Sequence, residues 1–285
     1  MKSIAVTGSS GFVGKEIDIY FSKIGYKIIP ISRSVLKDKD CLQNIVDKAD
    51  IVINLAGATI IKRWTKSYKN VLYNSRVDTT KKVVEAIKNS KTPPSLFIST
   101  SAIGIYDNIG THDERGSIGK GFLSRLAKHW EEEALKAESD DIKVSIFRLS
   151  VVLGKSGGAL KRMLPPFKMG LGGVIGSGKQ PFSFIHIEDL MEGYRFVIEN
   201  KYNGIFNLSS PHPCTNMDLT KSLGKHLKRF TIFTVPEFVL KLIFGEGSKV
   251  LTEGQIAIPK RLEDLNFNFK YRTIDEAIEN IVGDN

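Results

Sequence analysis

The chain of 285 residues predicts an α/β fold: a doubly wound parallel sheet with helices on both faces, followed by a smaller lobe. Three observations carry that prediction. Short, almost wholly apolar runs alternate with segments of helical periodicity, a glycine-rich turn separates the first run from the first helix, and the composition shifts toward glycine and proline after about Leu153.

Taken in order, Ser3-Ile4-Ala5-Val6-Thr7 is β-branched and apolar and stops at glycine, which predicts a first strand. Phe12 to Ile24 spaces its apolar residues as a helix does. The strand pattern returns at Ile28 to Ile31, Ile51 to Leu55, Leu96 to Ile98 and Val144 to Leu149. Helical segments lie between, at Cys41 to Lys48, Lys66 to Asn89 and Phe122 to Ala137. A strand apolar at every position has no side to show to water, so both faces of the sheet are covered. Beyond Gly154 the pattern predicts a strand pair around Gly173 to Ile187, a helix from Glu188 to Ile198, a strand at Ile205 to Leu208 and further helices. Residues 1–153 are thus expected to form the sheet domain. Residues 154–285 form mainly the smaller lobe, over the carboxyl edge where open α/β sheets bind ligands, with some segments returning to the sheet domain.

Composition excludes several function classes. With 41 Lys+Arg against 31 Asp+Glu the net charge is +10, while 41% hydrophobic and 25% charged residues describe an ordinary globular chain. The most apolar stretch, Phe230 to Phe244, is broken by Pro236, Glu237 and Lys241, so no spanning helix and no membrane partner are expected. The opening residues enter a strand without the pattern of a secretory signal, which predicts a cytoplasmic protein with Cys41 and Cys214 as free thiols. The five histidines show no metal-ligand spacing. A pI of about 9.4 invites a nucleic-acid reading, but the basic residues are interleaved with acids, as in Lys128 to Glu133. An anionic small ligand fits better than nucleic acid.

The strongest chemical signal is Thr7-Gly8-Ser9-Ser10-Gly11-Phe12-Val13-Gly14, which leaves the first strand and opens the first helix. Glycines there permit a tight turn and bring backbone N–H groups and a helix N-terminus up to a pyrophosphate. Gly8, Ser10, Gly11, Phe12, Val13 and Gly14 are therefore candidate dinucleotide-binding residues in a Rossmann-type domain. About twenty residues on, the second strand ends in Ser32-Arg33, where a cation would bind a 2′-phosphate and an acid a 2′-hydroxyl. Ser32 and Arg33 thus favour NADP(H), unless Arg33 is merely an exposed residue after a strand. The run from Gly173 to Lys179 resembles a phosphate loop, but Gln180 follows where a hydroxyl would hold Mg²⁺, so ATP hydrolysis is not expected.

These motifs together resemble the extended short-chain dehydrogenase/reductase superfamily. Asp50 to Gly57 resembles its third-strand motif, and Phe97 to Ser101 its serine strand. More narrowly, Lys62-Arg63-Trp64-Thr65, Asn74-Ser75-Arg76, Ser101 to Tyr106, Gly157 to Leu160, Leu171 to Gln180, Ile185-His186-Ile187 and Ile258 to Leu262 are similar to an atypical, epimerase-like subgroup. The resemblance implies NADP(H), cofactor contacts at Leu55, Ala56 and Gly57, and a small polar, nucleotide-linked substrate. It implies a catalytic serine at Ser101. The superfamily's Tyr-x-x-x-Lys pair is missing: its place reads Gly121 to Lys128. Tyr106 is then a candidate acid/base, or a ring packed over the cofactor. Arg63 and Trp64, past the third strand, are candidates for holding an anionic or ring-bearing substrate, with packing the alternative for Trp64. Lys179 and Gln180 resemble a substrate-lobe turn. His186 is a candidate base or an interlobe hydrogen-bonding group, and Asp189 is placed to meet the first N–H groups of its helix. Two functions remain open, an NADP(H)-dependent oxidoreductase or epimerase-like enzyme and a non-catalytic NADP(H)-binding sensor or interaction protein. A homodimer is the default assembly.

Overall fold

Strand β1 (Ser3–Thr7) is buried at all five positions, and its alternation divides the core. Ile4 and Val6 face one cluster, Ala5 the other. The structure, a computed structural model, describes residues 1–283. Following β1 come α1 (Phe12–Lys23), β2 (Lys27–Ile31), α2 (Lys39–Val46), β3 (Ile51–Asn54), α3 (Lys66–Asn74), α4 (Val77–Lys88) and β4 (Leu96–Ala102). Next are β5 (Thr111–His112), α5 (Phe122–Leu135), β6 (Lys143–Leu149), β7 (Val151–Leu153), α6 (Gly158–Lys168), β8 (Gly173–Ile175), β9 (Pro181–Phe182), β10 (Phe184–His186), α7 (Ile187–Asn200) and β11 (Gly204–Leu208). The chain continues through β12 (Cys214–Thr215), α8 (Asn216–Leu227), β13 (Phe233–Val235), α9 (Glu237–Phe244), α10 (Lys249–Thr252), β14 (Ile256–Ala257), α11 (Lys260–Asp264) and α12 (Ile274–Val282).

The main sheet is six-stranded, in the order β11-β6-β4-β3-β1-β2, with every pairing parallel. Ile51, Ile53, Leu96 and Ile98 face the cluster that holds Phe21 of α1 and Tyr194 of α7. Val52 and Phe97 face the opposite cluster, with Leu42 of α2, Val83 of α4 and Ala134 of α5. Both faces are dry, as uninterrupted apolar strands require. β11 joins the edge beside β6 although it lies late in the sequence.

Two local expectations change. The single helix expected over Lys66 to Asn89 is broken at Ser75-Arg76: the Ser75 hydroxyl donates to Leu72 O (3.2 Å) and accepts the Ala58 N–H (2.9 Å). Side-chain bonds of this kind compete with helix continuation. The strand pair expected at Gly173 to Ile187 is instead three strands with distant partners: β8 on β13, β9 on β12 and β10 on β7. Gly176 and Gly178, both at positive φ, turn the chain away between β8 and β9. Among the described residues, no helix is long and apolar enough to cross a membrane, no cluster of His, Cys, Asp or Glu could hold a metal, and both cysteines are free.

Candidate functional site

Two structures stand side by side at the carboxyl edge of the sheet. The first is the glycine turn. Gly8 has φ +68°, and a Cβ on it would lie 3.0 Å from the carbonyl of Leu55. A Cβ on Gly14 would lie 2.5 Å from Gly8 O and 2.6 Å from Ser9 Cα, so only glycine lets α1 begin this close to the turn. Thr7 fastens the neighbouring strand: its Oγ1 donates to Asn54 Oδ1 (2.6 Å) and accepts the N–H groups of Leu55 (3.0 Å) and Ala56 (3.1 Å). At the helix start, Gly11 is the N-cap and provides no side-chain acceptor, and the first turn carries no acid. The helix N-terminus therefore presents N–H groups to an anion, and the turn fits a pyrophosphate.

The loop residues divide in role. Ser10 is exposed. Phe12 carries its ring into the second lobe, where a Cβ on Gly157 would come within 2.5 Å of it, and Val13 packs on the core. These two can serve a ligand through backbone only. At the end of β2, Ser32 is within 2.7 Å of the Ser34 hydroxyl and accepts the Val35 N–H. Arg33 is exposed and, among the described residues, has no hydrogen-bond or ion-pair partner.

Beside Gly57 stands a group that sequence reasoning passed over. Arg76 donates to Ala58 O (3.0 Å) and Leu72 O (3.3 Å) and lies 5.4 Å from the Trp130 ring centroid. A Cβ on Gly57 would lie 3.0 Å from its guanidinium carbon. Burial pulls its pKa down to about 10, and no carboxylate pairs with it among the described residues. Its sequence signal was the Asn74-Ser75-Arg76 motif, to which no role was assigned.

The second structure is a cavity of about 1100 Å³ under the ends of β3, β4, β6 and β7, walled by α5, α6 and the segment from Val235 to Gln255. Ser101, at the end of β4, is buried, and its hydroxyl donates to Glu131 Oε1 (2.6 Å). Glu131, on α5, is bound twice by Arg148 of β6, Nε to Oε1 at 2.8 Å and Nη2 to Oε2 at 2.7 Å. Burial alone would lower the Arg148 pKa, but the Glu131 carboxylate outweighs it and raises it. Arg148 Nη1 continues to the Tyr106 hydroxyl (2.8 Å), which donates to Asn207 Oδ1 (2.7 Å).

This chain of bonds engages the hydroxyl of Tyr106, the candidate acid/base, within the protein. Although the residue borders the cavity, its hydroxyl is held between Arg148 and Asn207, its ring stacks on His112 at 4.9 Å, and burial raises its pKa. Glu131, Arg148 and Asn207 were not anticipated, because their roles depend on partners 17 to 101 residues away. The α5 residues bordering the cavity, among them Leu123, Ala127 and Trp130, include no acid or base.

The expected substrate residues separate. Trp64 borders the cavity and is also a packing anchor: it is buried, donates to Ile60 O (2.9 Å) and meets the Phe122 ring edge-on at 5.5 Å. Gln180 borders it too, but its amide nitrogen binds Ile175 O (3.0 Å) and Leu251 O (3.3 Å). Arg63, exposed, is turned to Leu242 O (2.7 Å), and Lys179 is exposed on the turn; neither lines the cavity. His186 is also outside it. Its Nδ1 accepts the Glu188 N–H (3.2 Å) to cap α7, its ring rests 3.8 Å from that of Tyr271, and burial pushes its pKa down to about 4. His186 thus caps α7. Asp189, expected at the helix start, instead accepts the N–H groups of Lys270 (2.8 Å) and Tyr271 (2.9 Å).

Comparison with known proteins places the whole chain among relatives of one family. A model of the NAD dependent epimerase/dehydratase family matches residues 4–209, and a domain of unknown function (DUF1731) matches residues 235–281. The chloroplastic epimerase family protein SDR39U1 homolog of Arabidopsis thaliana is 35% identical, over 98% of this chain and 86% of that one. Epimerase family protein YfhF of Bacillus subtilis is 32% identical over 99% and 98%. The crystal structure of human epimerase family protein SDR39U1 (isoform 2) with NADPH superposes with a TM-score of 0.92, at 29% identity over 98% and 99% of the two chains.

Proposed function

The chain belongs to the NAD dependent epimerase/dehydratase family, and on that premise we propose that it is an NADP(H)-binding oxidoreductase that works in the cavity beside the glycine turn. The observation that carries the reading is the turn itself: a close-packed glycine cradle and an uncapped helix N-terminus, with Arg33, at the end of the neighbouring strand, lacking a partner among the described residues. Gly8, Ser10, Gly11, Phe12, Val13 and Gly14 hold the pyrophosphate through backbone, Ser32 and Arg33 hold the 2′-phosphate, and Leu55, Ala56 and Gly57 line the path toward the cavity. When bound, the cofactor supplies hydride chemistry at its nicotinamide ring. Residues 1–153 carry it, and residues 154–285 supply much of the cavity wall.

Ser101 stands where β4 opens into that cavity. Its one proton is engaged by Glu131, so toward a ligand it offers lone pairs and accepts a hydrogen bond. This differs from a serine that polarises a carbonyl by donating to it. A second reading, a non-catalytic NADP(H)-binding protein, is favoured by the same network, since the hydroxyls of Ser101 and Tyr106 are both bound internally.

NADPH fluorescence titration tests the cofactor reading. Gly14→Ala places a methyl against the Gly8 carbonyl and is expected to weaken NADPH binding by roughly 10-fold or more, since binding needs this backbone geometry. Equal affinity in the two proteins would refute the cradle. The two functional readings separate on turnover: NADPH oxidation with any carbonyl substrate would exclude the non-catalytic one.

A further inference from the structure

We propose that the cavity binds an apolar, ring-bearing molecule with a hydroxyl group at the Ser101 end, in place of a nucleotide-linked sugar. The proposal deepens the oxidoreductase reading and rests on it only for where the cofactor lies. Three observations support it.

The walls are carbon. Ile61, Leu123, Met163, Phe167, Leu171 and Phe244 border the space from five separate segments, and about 1100 Å³ exceeds what one nicotinamide ring fills. Second, the neutral polar groups on the lining are already engaged by the protein. Gln180 binds Ile175 O and Leu251 O, Asn216 Oδ1 accepts the Ile175 N–H, Gln255 donates to Asn108, and the hydroxyls of Ser124 and Ser183 reach Gly104 O and Gln255 O. A sugar's hydroxyls would lose water there and gain few partners.

Third, the charges do not form a diphosphate site. Lys249 faces Glu253 at 3.6 Å and Glu246 is paired with Lys69. Lys120 and Arg162 are solvent-exposed at the rim, and Arg76, which also borders the cavity between Gly57 and Trp130, is a single buried cation. Of the buried hydroxyls bordering the inner end, those of Thr100, Ser101, Tyr106 and Ser150, that of Ser101 donates its proton to Glu131, so toward a ligand it accepts from a group that donates. An alcohol meets that requirement and a ketone does not.

The test uses the whole chain and the uncharged fluorescent probe N-phenylnaphthylamine, with and without NADPH. Saturable binding at one site is expected. Met163→Lys, which puts a cation into the carbon wall, should weaken it by about 10-fold or more, while Met163→Leu leaves it unchanged. Phe230→Ser, at an exposed apolar residue outside the cavity, should also leave it unchanged. Naphthylethanol should displace the probe better than acetylnaphthalene, and millimolar UDP-glucose should not displace it. Displacement by UDP-glucose, or a probe signal lost in Phe230→Ser and kept in Met163→Lys, would overturn the proposal. NADPH affinity, measured separately on each variant, reports folding and the cofactor reading. Loss of NADPH binding with probe binding intact would sink that reading and leave this one standing.

Discussion

Side by side along one sheet edge, the protein treats polar groups in opposite ways. The glycine turn leaves the first N–H groups of α1 without a side-chain cap, and Arg33 has no hydrogen-bond or ion-pair partner among the described residues. Beside it, Ser101, Glu131, Arg148, Tyr106 and Asn207 form a closed series in which each side chain is bonded to the next. The first region leaves donors unpaired at the start of α1. The second holds β4, α5, β6 and β11 together and leaves the cavity above it mostly carbon. A polar residue near a site is therefore evidence of binding only when its hydrogen bonds are unfilled.

Substitutions can break this contrast. The largest effect is expected at Glu131. Glu131→Ala leaves the Arg148 guanidinium buried without a counter-charge, a change that typically costs about 3–5 kcal/mol. Urea unfolding should show it, and a loss under about 1 kcal/mol would mean that water reaches the pair and the closed-network description fails.

His186, buried at the start of helix α7, adds a titrating group to the comparison: its Nδ1 accepts the Glu188 N–H. Its pKa is near 4 in the folded protein and near 6.5 when unfolded, so the unfolded chain binds the proton more tightly. Stability from this group is complete above pH 6.5 and is lost as pH falls toward 4, on the order of 3 kcal/mol at most. His186→Asn keeps a capping oxygen and removes the titration. The difference in urea midpoint between the two proteins should change between pH 7 and pH 4; a constant difference would place His186 in water.

The smallest effect sharpens the other side. Arg33→Ala should weaken NADPH binding by about 10-fold, leave NADH affinity unchanged and leave the unfolding midpoint where it was. Equal loss for both cofactors would remove Arg33 from the 2′-phosphate.

Much of the fold was legible because its causes are local. Ile51 to Leu55 and Leu96 to Ile98 read as buried strands from consecutive residues, and Gly8 and Gly14 announced a turn that no side chain fits. Lys66 to Asn89 read as one helix because apolar periodicity runs through it, while the break depends on the Ser75 hydroxyl meeting Ala58, seventeen residues earlier in the chain. The residues from Gly173 to Ile187 looked paired because they were adjacent, and their true partners lie as far away as Phe233 to Val235.

The candidate site divides along the same line. The sequence alone determined the doubly wound sheet, the position of the glycine turn and the cation after β2, since patterning and the steric freedom of glycine act over a few residues. Tertiary structure decided where each hydroxyl points and what the cavity is made of. Ser101 could be read as a donor until Glu131 was found 2.6 Å away, and Tyr106 as an acid until Arg148 and Asn207 closed around it. A side chain's chemistry at a site is set by which partner takes its proton, and those partners are brought together only when distant segments fold against one another.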